Sequence, residues 1–282
     1  MKKTLILLTS IFNLILSDNY VLDFDRSDAV FGGENDNIIL GGISNNPTFT
    51  DLADGYTFEC WVNLQGHGWT GNSTAHAYLI SGIANGFIID DYGQLHWAFL
   101  DNNDEVHRLI TSYQFPLNEW RHVAIAYEDN IAYLFDNGNL VESVNVPNGL
   151  ALNWSADSGF SVGIAHWQNG WWHPIDGQLE NIRISNYARY TSSFSPSYNY
   201  ESDENTVLLW KLNEGSGSIA NDSSGNGFHG NISEANWMVY NFPNIGCTDS
   251  IASNYNSDAT IDDGSCEYPN NGDYNLSFDG DD

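Results

Sequence analysis

The chain has 282 residues, 41% of them hydrophobic and 14% aromatic, which is enough to bury a sizeable core and argues against wholesale disorder. Eight Lys and Arg stand against 37 Asp and Glu, a formal net charge of −29. That balance argues against nucleic acid and anionic membranes as partners, and fits a surface solvated in salty water or a protein that holds divalent cations.

The first 17 residues read as a signal peptide. Lys2 and Lys3 supply the positive start, residues 4–16 are almost entirely apolar, and Ser17 is the expected last residue before cleavage. The apolar run is too short for a comfortable membrane span, and no later segment is suited to cross as a helix once the signal is removed. The expected location is therefore secreted or at the cell surface.

Residues 18–240 read as one all-β domain of short strands punctuated by Gly, Asn and Asp. Apolar and polar residues alternate over 56–62, 122–127 and 131–135. Glu128-Asp129-Asn130 is expected to turn one hairpin, and Asp136-Asn137-Gly138-Asn139 the next, because Asn-Gly tolerates the positive φ of tight turns. Further strands are expected over 77–83, 87–90, 95–100, 160–164, 178–184 and 206–212, with no long amphipathic helix. Many even strands with Gly-rich turns imply a two-sheet antiparallel sandwich or jelly roll. Cys60, within Phe58-Glu59-Cys60-Trp61-Val62, is expected as a buried thiol.

Residues 241–268 are short, polar and bracketed by Cys247 and Cys266, and export makes a disulfide between the two reasonable. Residues 269–282 read as a linker, then Tyr274-Asn275-Leu276-Ser277-Phe278-Asp279. That ending is similar to Tyr20-Val21-Leu22-Asp23-Phe24-Asp25, as if a second β domain were starting.

The tryptophans divide into two groups. Trp61, Trp120 and Trp210 are expected in the core. Trp69, Trp167, Trp171 and Trp172 fall in Gly/Asn/His-rich stretches expected to be loops. Trp167, Trp171, Trp172 and His173 are the candidate ligand-binding residues. Flat aromatic faces stack on sugar C–H surfaces or on a peptide, while nearby amides reach hydroxyls. The plainer reading is that these rings cover a sheet edge.

Asn118-Glu119-Trp120-Arg121-His122-Val123-Ala124, continued by Tyr133-Leu134-Phe135-Asp136-Asn137-Gly138, resembles the central hairpin of LamG-like jelly rolls of the concanavalin A-like lectin/glucanase superfamily. Phe58-Glu59-Cys60-Trp61-Val62 resembles the early core strand, and residues 177–184 followed by Tyr187-Ala188-Arg189 the late strand and its exit. Residues 209–217 and 222–230 resemble the closing strand and loop of bacterial members. The resemblance spans 20–240. It implies a jelly roll and a structural calcium on rim loops, with Asp25, Glu180, Asp222 and Asn226 as candidate ligands. The chain departs from the pattern at Arg26, where Gly is usual, at the longer insert before Asn35-Asp36-Asn37, and at Glu180, where Asp is usual. The plainer reading of these residues is turn formers and solvated acids.

Gly246-Cys247-Thr248-Asp249, Asn254-Tyr255-Asn256-Ser257-Asp258 and Asp262-Asp263-Gly264-Ser265-Cys266 closely resemble a short Cys/Asp repeat of large secreted proteins of marine bacteria, and loosely thrombospondin type 3 calcium repeats. Oxygen side chains at Asn254, Asn256 and Asp258, completed by Asp262 and Asp263, suit a loop around a cation. Ser253 stands where the repeat's middle cysteine is usual, which leaves Cys247 and Cys266 for each other. So small a segment needs a disulfide, a cation or both; otherwise it is a polar spacer.

The superfamily includes glucanases, and glycoside hydrolysis needs two carboxylates facing across a groove. Glu201-Ser202-Asp203-Glu204 is loop-like, and residues 101–105 read as a hairpin tip. His67, His76, His166 and His173 lack metal-ligand spacing, and neither a nucleophile elbow nor a phosphate loop is present. The expected function is a non-catalytic binding or adhesion module with structural calcium, recognising extracellular carbohydrate or a protein surface. A spacer in a repeat-built surface protein is the alternative, and a glycoside hydrolase the third reading.

Overall fold

A computed structural model describes residues 20–25, 36–40, 52, 54–67, 77–81, 86–90, 92–151, 160–167, 170–240, 247–257, 259 and 266–268. Residues 1–17, expected as a signal peptide, the tail 269–282, Trp69, His76, Asp258, Asp262 and Asp263 lie outside them.

The described strands are β1 (Tyr20–Phe24), β2 (Asn37–Leu40), β3 (Gly55–Leu64), β4 (Ala77–Ser81), β5 (Phe87–Ile89) and β6 (Leu95–Leu100). They continue as β7 (Val106–Ile110), β8 (Arg121–Glu128), β9 (Ile131–Asp136), β10 (Asn139–Asn145), β11 (Phe160–Val162) and β12 (Ala165–Trp167). The last are β13 (Gly170–Trp172), β14 (Gly177–Ser185), β15 (Thr206–Trp210), β16 (Ile219–Ala220), β17 (Gly230–Ser233) and β18 (Asn236–Val239). Two eight-stranded antiparallel sheets form the expected sandwich. One runs β10-β9-β8-β3-β14-β1-β18, with β15 also on β14; the other runs β16-β17-β2-β11-β4-β5-β6-β7.

Local chemistry explains the two central hairpins. Asp129 and Asn130 turn β8 into β9 with φ of 50° and 61°, and Asn137 and Gly138 turn β9 into β10 with φ of 48° and 75°. Positive φ at both central residues matches the right-handed twist of the flanking strands. At Gly138 the demand is also steric, since a Cβ there would lie 2.1 Å from the Phe194 carbonyl oxygen.

Between the sheets pack Phe24, Phe58, Val62, Phe87, Trp97, Phe99, Ile125, Leu134, Phe160 and Trp210. Cys60 is buried among them as a free thiol, and burial pushes it up, with Glu59 adding to the effect. The Trp210 indole donates to the Phe228 carbonyl at 2.7 Å, which satisfies the one polar atom of a fully buried ring.

A second apolar layer lies on the outside of the first sheet. The segment 186–200 straps across β3, β8 and β14, setting Tyr190 and Phe194 over Ala124, Ala126 and Phe135. The two alanines leave room for the strap. This is why β14 is buried on both faces. It also moves two expected core residues. Trp61 is half-buried under the strap, its Nε1 donating to the Ser197 carbonyl at 3.1 Å. Trp120 is half-buried with its ring edge-on to Tyr240 at 5.4 Å.

Candidate functional site

Trp167, Trp171 and Trp172, expected in loops, stand on strands. β12 and β13 pair as a separate two-stranded ribbon with Ala165 opposite Trp172, His166 opposite Trp171 and Trp167 opposite Gly170. The ribbon belongs to neither main sheet and runs beside β4. His173 follows it with φ of 59°, turning the chain back towards β14.

The ribbon joins one end of the sandwich through a chain of backbone bonds. Ile175 N–H donates to the Gly163 carbonyl at 2.8 Å, and Gln65 N–H to the Asp176 carbonyl at 2.7 Å. His67 Nε2 then donates to the Phe115 carbonyl at 2.6 Å. The Phe115 N–H in turn donates to the Gly93 carbonyl at 2.7 Å. Here the β5–β6 turn and the β7–β8 loop are sewn together. Asp90 Oδ1 accepts from the Tyr92 and Gln94 N–H groups at 3.0 and 2.8 Å. Gln94 Nε2 donates to the Thr111 carbonyl at 2.5 Å, and Gln114 Nε2 to the Tyr92 carbonyl at 3.0 Å. From this rigid rim Tyr92 stands 70% exposed and Tyr113 42% exposed. Sequence reading missed both; the available signal was a tyrosine at the tip of an Asp-Tyr-Gly turn.

The buried carboxylates Glu59 and Asp136 are committed to structure. Glu59 is fully buried beneath the strap, accepting from His122 Nε2 at 3.0 Å, Arg183 Nε at 2.8 Å and Tyr190 Oη at 3.1 Å. Burial alone would raise its pKa, but the His122 bond and charge, with those of Arg183, hold it below the usual range. Asp136 takes Arg121 Nε at 2.7 Å and Nη2 at 3.0 Å, and Tyr113 Oη at 2.5 Å.

The four rim residues that the family resemblance nominated for calcium are not brought to one point. The β1–β14 register sets Leu22 against Leu179 and so Glu180 against Val21. Asp25 therefore lies four residues, about 13 Å, further along the strand. Asp25 is exposed, its N–H donating to Asp36 Oδ2 at 2.5 Å. Glu180 is buried against the hydroxyl of Tyr198, and burial pushes its carboxyl up to about 9, so it stays protonated at neutral pH. Asp222 accepts from the Leu209 and Ser224 N–H groups on one oxygen, at 3.0 and 2.9 Å, and from the Phe228 N–H and Ser224 Oγ on the other, at 3.0 and 2.7 Å. Asn226 Nδ2 donates to the Thr206 and Val207 carbonyls at 3.1 and 2.9 Å. These two residues knit the closing loop to β15.

Asp101, Glu105 and His107 bring their ligand atoms within 4.8 Å of one another at the opposite end of the sandwich. Asp101 already accepts from the Asn103 and Glu105 N–H groups, Asn148 Nδ2 and His107 Nε2. The Asn148 bond, against the cost of burial and with the backbone bonds adding, holds it at about 2. The cluster serves the hairpin.

Cys247 and Cys266 are joined by a disulfide. Ser253, in place of the expected middle cysteine, donates through both N and Oγ to the Glu267 carbonyl at 2.7 and 2.9 Å. Asn254 Oδ1 accepts the Glu267 N–H at 2.7 Å, and Asn256 N–H donates to the Cys247 carbonyl at 2.9 Å.

Among solved structures, a candidate carbohydrate binding protein from Bacteroides ovatus is similar at 16% identity and a TM-score of 0.55, over 80% of this chain and 61% of that one. This chain thus spans less than two thirds of that protein. A sialidase CBM40 of Ruminococcus gnavus, bound to alpha2,3 sialyllactose, is similar at 14% identity and a TM-score of 0.45, over 61% of this chain and 91% of that one. No curated relative matches the sequence. Residues 32–193, more than half of the chain, match the family model described as the concanavalin A-like lectin/glucanases superfamily. The chain belongs to that superfamily.

Proposed function

We propose that this chain is a non-catalytic module of the cell exterior that binds carbohydrate through the ribbon of β12 and β13. The observation that carries the reading is the ribbon itself, which sets three tryptophans within six residues on strands that complete neither sheet. Aromatic residues concentrated on a short element outside both sheets suit recognition. Superfamily membership and the fold likeness to the Bacteroides ovatus protein are in keeping with carbohydrate as the ligand class. The non-catalytic half is supported by Glu59, Asp101, Asp136, Asp222 and Glu180, each tied up in structural bonds.

The full chain on a glycan array tests this. Saturable binding that is lost in Trp171→Ala or Trp172→Ala is expected. Silence across the array, or cleavage of a bound polysaccharide, would overturn the proposal.

For residues 247–268 the reading is a disulfide-tied appendage that takes up calcium through Asn256, Asp258, Asp262 and Asp263, supported by the spacing of their oxygens. Asn254 is left out because its Oδ1 holds Glu267. Calorimetric titration with calcium, repeated on Asp262→Asn, checks it; equal heats in both would exclude these ligands.

A further inference from the structure

The rim of Tyr92 and Tyr113 is a feature that the ribbon reading leaves unused. We infer that it is a second subsite for the same ligand class, selective for neutral glycans, an inference that rests on the carbohydrate reading.

Three observations carry it. The first is exposure: Tyr92 offers most of its ring to solvent although its backbone is fixed at every polar atom described, N–H to Asp90 and carbonyl to Gln114. A large ring on a rigid turn gives contact area with little entropy lost on binding. The second is that the Tyr113 hydroxyl is already bonded to Asp136, so what remains to offer is the ring itself. A ring presented without its hydroxyl suits stacking on sugar C–H faces. The third is charge. Arg121, the cation of this rim, is spent on Asp136 and on Glu119, the latter at 2.8 Å. Glu119 is 57% exposed and accepts hydroxyl donors. An anionic glycan would meet the carboxylate of Glu119 and the field of a chain carrying −29.

The bonded loops make the pair one surface. Gly93, at φ of 76°, packs closely on His67, a Cβ there falling 2.8 Å from its ring, so the turn and the His67 segment lie in direct contact. The His67 side chain and the Gln65 backbone bond link this rim to residues 175–176 beyond the ribbon, which places both subsites at one end of the sandwich.

Affinity electrophoresis of the full chain tests the inference, with soluble β-1,3-glucan, mannan and xylan as neutral probes and alginate as the anionic one. Tyr92→Ala and Tyr113→Ala are each expected to weaken retention by a neutral probe about tenfold. Tyr255→Ala, at a tyrosine outside the sandwich about as exposed as Tyr113, should leave it unchanged. Retention should also be flat with salt. Thermal melting controls for folding, with Tyr92→Ala the clean variant because its ring is mostly exposed. If both rim variants bind like the parent while Trp171→Ala does not, the rim inference fails and the ribbon reading stands. Preference for alginate also overturns the rim inference. If the parent binds no probe and no arrayed glycan, both fall together.

Discussion

Arg183 grips Glu59 beneath the strap, Nε at 2.8 Å and Nη2 at 2.7 Å from the same carboxylate oxygen, with the carboxylate wholly out of water. His122 and Tyr190 share the other oxygen. Removing the anion would strand Arg183 and His122 in a buried layer. Glu59→Ala is therefore expected to cost about 3–5 kcal/mol in urea unfolding. The ionised carboxylate also has a pH signature. Its folded pKa lies below the unfolded value near 4.3. Its contribution is complete above that value and is lost as pH falls through the folded pKa.

Glu180 lies on the same outer face and has the opposite sign. Its carboxyl is pushed up to about 9 by burial. Between about 4.3 and 9 the unfolded chain gives up a proton that the folded chain keeps, so stability falls as pH rises through this window. Glu180→Gln removes that loss and leaves an oxygen for Tyr198. It should stabilise by about 1–3 kcal/mol at pH 7.5 and flatten the dependence of the melting temperature across the window. A variant no more stable than the parent at pH 7.5 would show that Glu180 ionises in place.

Gly138 joins the hairpin to the strap. Gly138→Ala puts a methyl against the Phe194 carbonyl in a backbone conformation that favours glycine. A loss of about 2–4 kcal/mol is expected, larger than a positive φ alone would exact. Hydrogen exchange should locate the loosening at the strap. Exchange faster only in the β9–β10 turn would mean that the strap does not bear on it.

Cys60 and the disulfide separate core from appendage. The Cys60 thiol, buried and raised, should resist alkylation until the sandwich unfolds. Reducing Cys247–Cys266 should expose residues 247–268 to protease while the sandwich melts unchanged, because the bond closes only its own loop of separation 19. A melting shift of several degrees on reduction would instead show that the two parts pack together.

What was legible in the sequence is what local chemistry decides. Asp129-Asn130 and Asn137-Gly138 announce their turns through residues that tolerate positive φ. The strand expected over 95–100 stands at Leu95–Leu100, with burial that alternates because only one of its faces is sealed. The strap was not legible, since its partners on β3, β8 and β14 are distant in sequence; Ala124 and Ala126 were the sole hint, as small residues where bulk was affordable. That cover is what takes Trp61 out of the expected core. The ribbon was read as loop because three-residue strands are too short to display a period. The expected calcium ligands carried the right letters, but register decides which letters meet, and the register sets Glu180 against Val21 rather than Asp25.

β1 lies between β14 and β18, with Tyr20 opposite Val239. The sandwich is therefore entered and left at neighbouring points, about 5 Å apart. More than two hundred residues fold up while adding almost nothing to end-to-end reach. Tension along the chain would open this pair like a zip, one rung at a time, rather than shear it. A chain held on both sides of such a domain would carry it as a pendant. That geometry makes a poor strut.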